Sequence, residues 1–311
     1  MNIVFMGTPV FSVPCLEALI NAGHNVRAVF TQPDKPKNRG HKMQMTPVKE
    51  FAVQRGITVY QPVSLRKGEE GLRSLKILEE IAPECIVVVA YGQILTKDVL
   101  SIPKYGCINV HASLLPGYRG AAPIQRAVMN GETVSGVTTM YMAEGVDTGD
   151  MILRSRTEIT SDMTGEQLHD RLSVMGAELI TATLEQVEKG VAPREAQNED
   201  EACYAKMIGK DDCRIDFDKP ADSVYNQIRG LSSSPGAFTF LDGKRLKVLF
   251  AEKLDRKASE PSGTVVKGEG LCVACGGEVL RLSDIQPEGG KRMKDTDYLR
   301  GRKIEEGARL G

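Results

Sequence analysis

The sequence of 311 residues predicts an α/β chain in two parts, a mostly parallel sheet followed by a smaller antiparallel β domain. Three observations carry that prediction. Up to Ala90, short apolar runs alternate with segments whose apolar residues recur at helical spacing, the rhythm of strand–helix–strand units. Val191–Ala205 then turns acidic and broken, with Pro193, Glu195, Glu199, Asp200 and Glu201, as a linker does. From Ala237 onward, strand-like runs follow one another through turns such as Asp242-Gly243, as in a small antiparallel barrel or sandwich. The predicted boundaries are 1–190 for the first domain, 191–206 for the linker and 207–311 for the second domain.

Asn2–Met6 reads as the first strand and ends at Gly7-Thr8-Pro9. In Val10–Ala22, Val13, Leu16, Leu19 and Ile20 share a helical face, and Gly23 closes the segment as a C-cap. Strands at Val26–Thr31, Ile57–Tyr60 and Cys85–Ala90 alternate with helices at Thr46–Gln54 and Gly71–Ile81. Such a sheet places ligands at the carboxyl ends of its strands. Its first strand–helix turn holds only Gly7 rather than G-x-G-x-x-G. The sheet is therefore Rossmann-like, but a nicotinamide or flavin cofactor is disfavoured. Further strands are predicted at Val134–Met142 and Met151–Ile159, and a long helix at Thr164–Lys189, where Thr164 and Gln167 have capping-box spacing. The second domain opens with a helix at Ala221–Leu231. Strands follow at Ala237–Leu241, Arg245–Lys253, Gly263–Lys267, Leu271–Cys275 and Glu278–Ile285, a pattern that fits an oligonucleotide-binding (OB-like) β-barrel.

Composition narrows the class. Hydrophobic residues at 41%, charged residues at 26% and a net charge of −1 describe an ordinary globular protein with no global pull toward polyanions. The seven cysteines are scattered and odd in number, which predicts reduced thiols and a cytoplasmic location. The strand pattern at Asn2 leaves no room for a signal peptide, and no apolar run reaches membrane-spanning length. Cys272 and Cys275 form a C-x-x-C without a second pair at zinc spacing, so no metal site is expected.

The chemistry centres on Cys107–Gly120, CINVHASLLPGYRG. Cys107, Ile108 and Val110 predict a buried strand, in which Asn109 and His111 point to the same side. An amide there can donate to a developing oxyanion, and an imidazole can move a proton near neutral pH. A plainer role, satisfying backbone groups at the strand end, fits either residue alone. Ser113–Gly117 predicts a tight loop and Ala121–Asn130 a helix. Asp147 lies in a turn between Gly145 and Gly149, where its carboxylate either serves its own turn or approaches His111. Gln32–Lys49 is rich in cations: Lys35, Lys37, Arg39, Lys42 and Lys49 with His41, against Asp34. Pro33, Pro36 and Gly40 predict that it stays irregular. It is read either as a solvated loop or as a basic loop that grips a phosphate backbone. Lys244, Arg245 and Lys247 form a second basic group in one hairpin, and Lys291, Arg292 and Lys294 a third.

Asn109, His111, the Ser113–Pro116 loop and Asp147 together resemble the formyltransferases that use 10-formyltetrahydrofolate. Gly7-Thr8-Pro9, Thr31-Gln32-Pro33-Asp34, Gly117–Pro123, Ser234–Thr239 and Leu299-Arg300-Gly301 extend the likeness over nearly the whole chain, to the methionyl-tRNA formyltransferases. The sequence departs from them at Ser232–Ser234, where members often carry a Trp and this chain has none. The resemblance implies transfer of a formyl group from 10-formyltetrahydrofolate to the α-amine of methionine on initiator tRNA. Asn109, His111 and Asp147 would be catalytic. Ser113, Leu114, Leu115 and Pro116 would line the folate pocket. Lys35, Lys37, Arg39, Lys42, Lys244, Arg245 and Lys247 would meet the tRNA. A bacterial source and a monomer are expected. Three other readings are a nucleotide-sugar amine as acceptor, a purine precursor as acceptor, and a non-catalytic RNA- or folate-binding protein. The second domain argues against the purine precursor, and the Asn109–His111–Asp147 set against the binder.

Overall fold

A computed structural model describes residues 1–37 and 42–311, and the chain divides into two compact units. The first comprises residues 1–120, 136–157 and 169–204; the second comprises 121–135, 158–168 and 205–311.

The first unit is built on seven strands: β1 (Asn2–Gly7), β2 (Asn25–Phe30), β5 (Val59–Tyr60), β6 (Cys85–Val89), β7 (Cys107–His111), β8 (Val134–Tyr141) and β9 (Met151–Glu158). Their order across the sheet is β5-β2-β1-β6-β7-β8-β9. Strands β5, β2, β1, β6 and β7 run parallel, and β8 pairs antiparallel with β7. Ile3, Val4, Phe5 and Met6 are wholly buried, as a strand covered on both faces requires. Around the sheet lie α1 (Val13–Asn21), α2 (Pro47–Gln54), α3 (Gly68–Ile81) and α4 (Lys97–Ser101). Thr46 caps α2 by accepting from the Lys49 N–H, with Pro47 at the first helical position. Helix α3 begins three residues before the predicted Gly71, because its first turn carries Glu69 and Glu70. Those acids suit the helix dipole but leave no apolar periodicity to read. Helix α4 is too short for periodicity to reveal.

One expectation is corrected here. The basic segment is not irregular throughout: β3 (Lys35–Lys37) pairs antiparallel with β4 (Lys42–Gln44), with Pro36 opposite Met43. Both strands of an isolated ribbon are edges, where a proline need not donate. Residues 191–204 are fastened within the first unit. Glu195 exchanges backbone hydrogen bonds with Met151 on the outer strand β9, at 2.8 and 3.0 Å. Glu195 also pairs with Arg154, and Glu199 with Arg119. Two of the acids that make this stretch look solvated, Glu195 and Glu199, are the partners of specific arginines.

Helix α6 (Gly165–Glu188) starts from the capping box the spacing predicts. The Thr164 N–H donates to Gln167 Oε1 at 2.9 Å, and the Gln167 N–H to Thr164 Oγ1 at 3.2 Å. The second unit contains α5 (Pro123–Met129), α7 (Lys210–Cys213), α8 (Ala221–Leu231) and α9 (Asp295–Gly301). Its antiparallel sheet has the order β10 (Ala237–Leu241), β11 (Lys244–Lys257), β13 (Glu278–Pro287) and β12 (Cys272–Cys275), with β14 (Met293–Lys294) also on β13. Register shifts near Val248, Phe250 and Leu254 interrupt the pairing of β11 with β13. Such bulges bend and twist a long strand, as an OB-like curved sheet requires. Gly263–Lys267 does not form the predicted strand. Thr264 bridges Arg309 while Val265 bridges Val273, so no single ladder can form. Cys275 joins the main core of this unit and Cys272 a separate cluster, because residues three apart in a strand face opposite sides.

Candidate active site

All five residues of β7 are buried, and its polar pair sits at the carboxyl end of the sheet. Asn109 lies opposite Val88 on β6 and Met140 on β8, and His111 opposite Thr138. The loop after β7 is fastened by side chains. Thr138 Oγ1 donates to the Ser113 carbonyl at 2.7 Å and accepts from the Leu115 N–H at 3.1 Å. Ser113 Oγ donates to the Gly117 carbonyl at 2.6 Å. The Leu115–Pro116 peptide bond is cis.

The Asp147 turn comes back onto this pair. Asp147 adopts a left-handed backbone, φ +53°, between Gly145 and Gly149. Gly149 has no alternative, since a Cβ there would lie 1.7 Å from the Tyr141 carbonyl oxygen. Asn109 Nδ2 donates to Asp147 Oδ1 at 3.3 Å. The Gly120 N–H donates to Asp147 Oδ2 at 2.8 Å, and the same oxygen lies 3.5 Å from His111 Nδ1. On the other side of the ring, His111 Nε2 lies 2.9 Å from the Tyr118 carbonyl. A carbonyl can only accept, so Nε2 carries the hydrogen. Nδ1 is then the ring nitrogen left to take a proton, and the resulting imidazolium would face the carboxylate. His111 and Asp147 side chains are 7% and 15% exposed, which keeps water from screening that pair. The Cys107 thiol, two residues before Asn109, is pushed up to about 12 by burial and stays neutral.

The structure thus brings Asn109, His111 and Asp147 together. The Tyr118 carbonyl and Gly120 N–H complete the constellation. They are backbone groups, invisible to a search for side chains, although the Gly-Tyr-Arg-Gly run signals a turn. The expected folate residues divide. Leu115 is packed with Met140 and Met151, and the Ser113 hydroxyl is spent within its loop. Leu114 and Pro116 are half-buried. Of the basic residues in the hairpin, Arg39 lies outside the described residues; Lys35 is exposed, Lys37 belongs to β3 and Lys42 to β4. Lys49 is committed elsewhere: it pairs with Asp34 at 2.6 Å and donates to Gln61. Burial would raise the Asp34 carboxyl, but hydrogen bonds from Lys49 and Gln61 outweigh it and hold the group below the usual range. In the second unit, Lys244 and Arg245 are exposed at the start of β11, with the Arg245 guanidinium 4.7 Å from the Phe238 ring. Lys247 Nζ donates to the Pro235 carbonyl at 2.9 Å.

A formyl transferase family profile matches residues 1–184, and a formyl transferase C-terminal domain profile matches residues 207–303. A methionyl-tRNA formyltransferase of Caldanaerobacter subterraneus is 49% identical over 311 residues, covering all of both chains. One of Clostridioides difficile is 46% identical over 313 residues, again over the full length of both. The chain belongs to the methionyl-tRNA formyltransferase family. Among solved structures, an N-formyltransferase of Helicobacter canadensis, in complex with folinic acid and dTDP-3-aminofucose, has a TM-score of 0.66 at 17% identity. That match covers 94% of this chain and all of the other, and it supports the family fold. Among the described residues, no helix is long and apolar enough to cross a membrane.

Proposed function

We propose that this chain transfers the formyl group of 10-formyltetrahydrofolate to the α-amino group of methionine on initiator tRNA, as a cytoplasmic monomer. The observation that carries the reading is the convergence of Asn109, His111 and Asp147 at the carboxyl end of β7. The names of the full-length relatives support formyl transfer to methionyl-tRNA.

In this mechanism the amine nitrogen attacks the formyl carbon, and the carbonyl oxygen gains negative charge. Asn109 Nδ2 has two hydrogens. One is held by Asp147, which leaves the other for the oxyanion, a donor worth about 3–4 kcal/mol of barrier. The bond from the formyl carbon to the folate N10 then breaks. The proton lost by the amine moves through His111 Nδ1 to N10, so the chemistry balances without a metal or redox group. Asp147 stabilises the transient imidazolium, and proton transfer of this kind contributes on the order of 10²–10⁴ in rate. Leu114 and Pro116, with the loop backbone at Ser113 and Leu115, would meet the folate.

Residues 1–190 serve catalysis in this reading, 191–206 join the parts, and 207–311 bind tRNA. Lys35, Lys37, Arg39 and Lys42 would approach the acceptor end, while Lys244, Arg245 and Lys247 follow the backbone, which is recognised by charge and shape. The test compares formyl transfer to methionyl-initiator tRNA with transfer to amino-sugar nucleotides. Strong preference for the tRNA, abolished by His111→Ala, is expected. Transfer to a sugar amine alone would overturn the acceptor. Arg39→Ala should raise KM for tRNA and leave folate affinity unchanged; equal loss with a small amine acceptor would contradict that division.

A further inference from the structure

Gln197 lies outside every group that the sequence marks for chemistry, in the stretch that composition marks as a linker. Its side-chain amide is nevertheless fully committed, with the nitrogen on the Asp147 turn. Nε2 donates to the carbonyl of Asp147 and to the carbonyl of Gly149, both at 2.8 Å. Oε1 accepts from Arg119 Nε at 2.9 Å, so the amide cannot flip without losing all three bonds.

Arg119 is an unusual anchor. It is 0% exposed, and its two terminal nitrogens reach both carboxylate oxygens of Glu199 at 2.9 and 2.8 Å. The hydrogen bonds it donates to Glu199 raise the Arg119 guanidinium further above its usual range, so it remains a cation despite burial. Arg119 also stands between the two backbone groups that touch the ionisable pair: the Tyr118 carbonyl on His111 and the Gly120 N–H on Asp147. Its own N–H donates to the Cys203 carbonyl at 2.8 Å, and the Tyr118 N–H to Cys203 Sγ at 3.1 Å. Segment 118–120 is therefore stitched to 197–203 by side chain and backbone together.

The Asp147 turn needs such a restraint. A non-glycine residue at φ +53° sits in a sparsely populated conformation that neighbouring structure must hold. The two carbonyls that Gln197 grips flank Thr148, the outgoing half of that turn.

We propose that Gln197 is a positioning residue: anchored by buried Arg119, it clamps the Asp147 turn so that the carboxylate stays against His111 and Asn109. The inference rests on the catalytic reading of those three residues. It predicts a loss in kcat rather than in binding, since Gln197 touches the turn and not a substrate.

The experiment measures steady-state formyl transfer by Gln197→Ala, Gln197→Glu and Asp147→Asn, and by the Asp147→Asn/Gln197→Glu double variant. Gln197→Glu keeps an acceptor for Arg119 and removes both donors to the turn, so it reports on the clamp even where Gln197→Ala fails to fold. Expected for Gln197→Glu is a fall in kcat of about 10–100-fold, the cost of misplacing a catalytic group by a fraction of an ångström to one ångström. KM for both substrates should stay near that of the parent, while the thermal midpoint falls because a carboxylate oxygen now opposes two carbonyls. In the Asp147→Asn background the same change should cost less than about twofold, because the group it positions is already gone. A loss in KM alone, a loss that multiplies fully with Asp147→Asn, or a folded Gln197→Glu enzyme with parental kcat would each overturn the inference. Parental activity in Asp147→Asn itself would instead overturn the catalytic reading.

Discussion

Replacing Asp147 by Asn tests the site most sharply, because the change conserves shape and alters only charge and hydrogen-bond polarity. In the parent, Oδ2 accepts from the Gly120 N–H at 2.8 Å and Oδ1 from Asn109 Nδ2 at 3.3 Å. A carboxylate can accept at both positions, whereas an amide must place its NH2 at one. If it faces Gly120, two donors oppose each other. If it faces Asn109, the Asn109 amide is driven to flip, which turns its oxygen toward Asp147 and spoils the oxyanion donor. Either way, the charge 3.5 Å from His111 Nδ1 is lost. Loss of a hydrogen bond to a charged group costs about 1.5–3 kcal/mol, and loss of the supported proton transfer up to about 10²–10⁴ in rate. At about 1.4 kcal/mol per decade, a fall in kcat of roughly 10²–10⁴ is expected. Single-turnover transfer from 10-formyltetrahydrofolate to methionyl-initiator tRNA measures it without interference from product release. A variant with parental melting behaviour and a rate within threefold of the parent would refute this account of the site.

Gly149→Ala should lower kcat to the same degree, because its Cβ would meet the Tyr141 carbonyl at 1.7 Å and push the Asp147 turn off β8; unchanged turnover would show that the turn tolerates the shift. Thr164→Ala removes half of the capping box of α6 and should cost about 1 kcal/mol in urea unfolding at pH 7. Asp295 is fully buried and bonded to Arg281 at 2.8 Å. Burial raises its carboxyl, but bonds from Arg281, Leu271 and Thr296 prevail and hold it below the ordinary 3.8. Asp295→Asn should therefore cost about 3–5 kcal/mol at pH 7, where the carboxylate is charged in both folded and unfolded chains. Because the unfolded chain takes up the proton first, that difference should narrow as pH falls below about 3.8. A pH-independent difference would place the stabilisation elsewhere.

Sequence and structure agree most closely where a single local rule governs. Helix α8 spans Ala221–Leu231 and β10 spans Ala237–Leu241, as periodicity and the neighbouring turns predict. The Thr164–Gln167 capping box follows from spacing alone. Agreement weakens where composition is ambiguous. Lys35–Lys37 looks too proline-broken for a strand, yet an isolated ribbon asks little of its edges. Residues 191–204 look solvated because they are acidic, yet Glu199 finds Arg119 and Glu195 finds Arg154.

By itself the sequence determined the alternation that makes a parallel sheet, the placement of Asn109 and His111 on one side of a buried strand, and the family. These are properties of neighbours along the chain, set by the two-residue and 3.6-residue periods of backbone geometry. Only the tertiary structure decided that Asp147, 38 positions beyond Asn109, turns its carboxylate onto the pair. Only the fold could show that His111 is held through the Tyr118 carbonyl and that Gln197 reaches back to grip the Asp147 turn. Those contacts depend on where β8 and its turn return against β7, and on which distant backbone groups that return brings within reach. Such groups have no signature in the residue alphabet, because every residue carries a carbonyl and nearly every one an N–H.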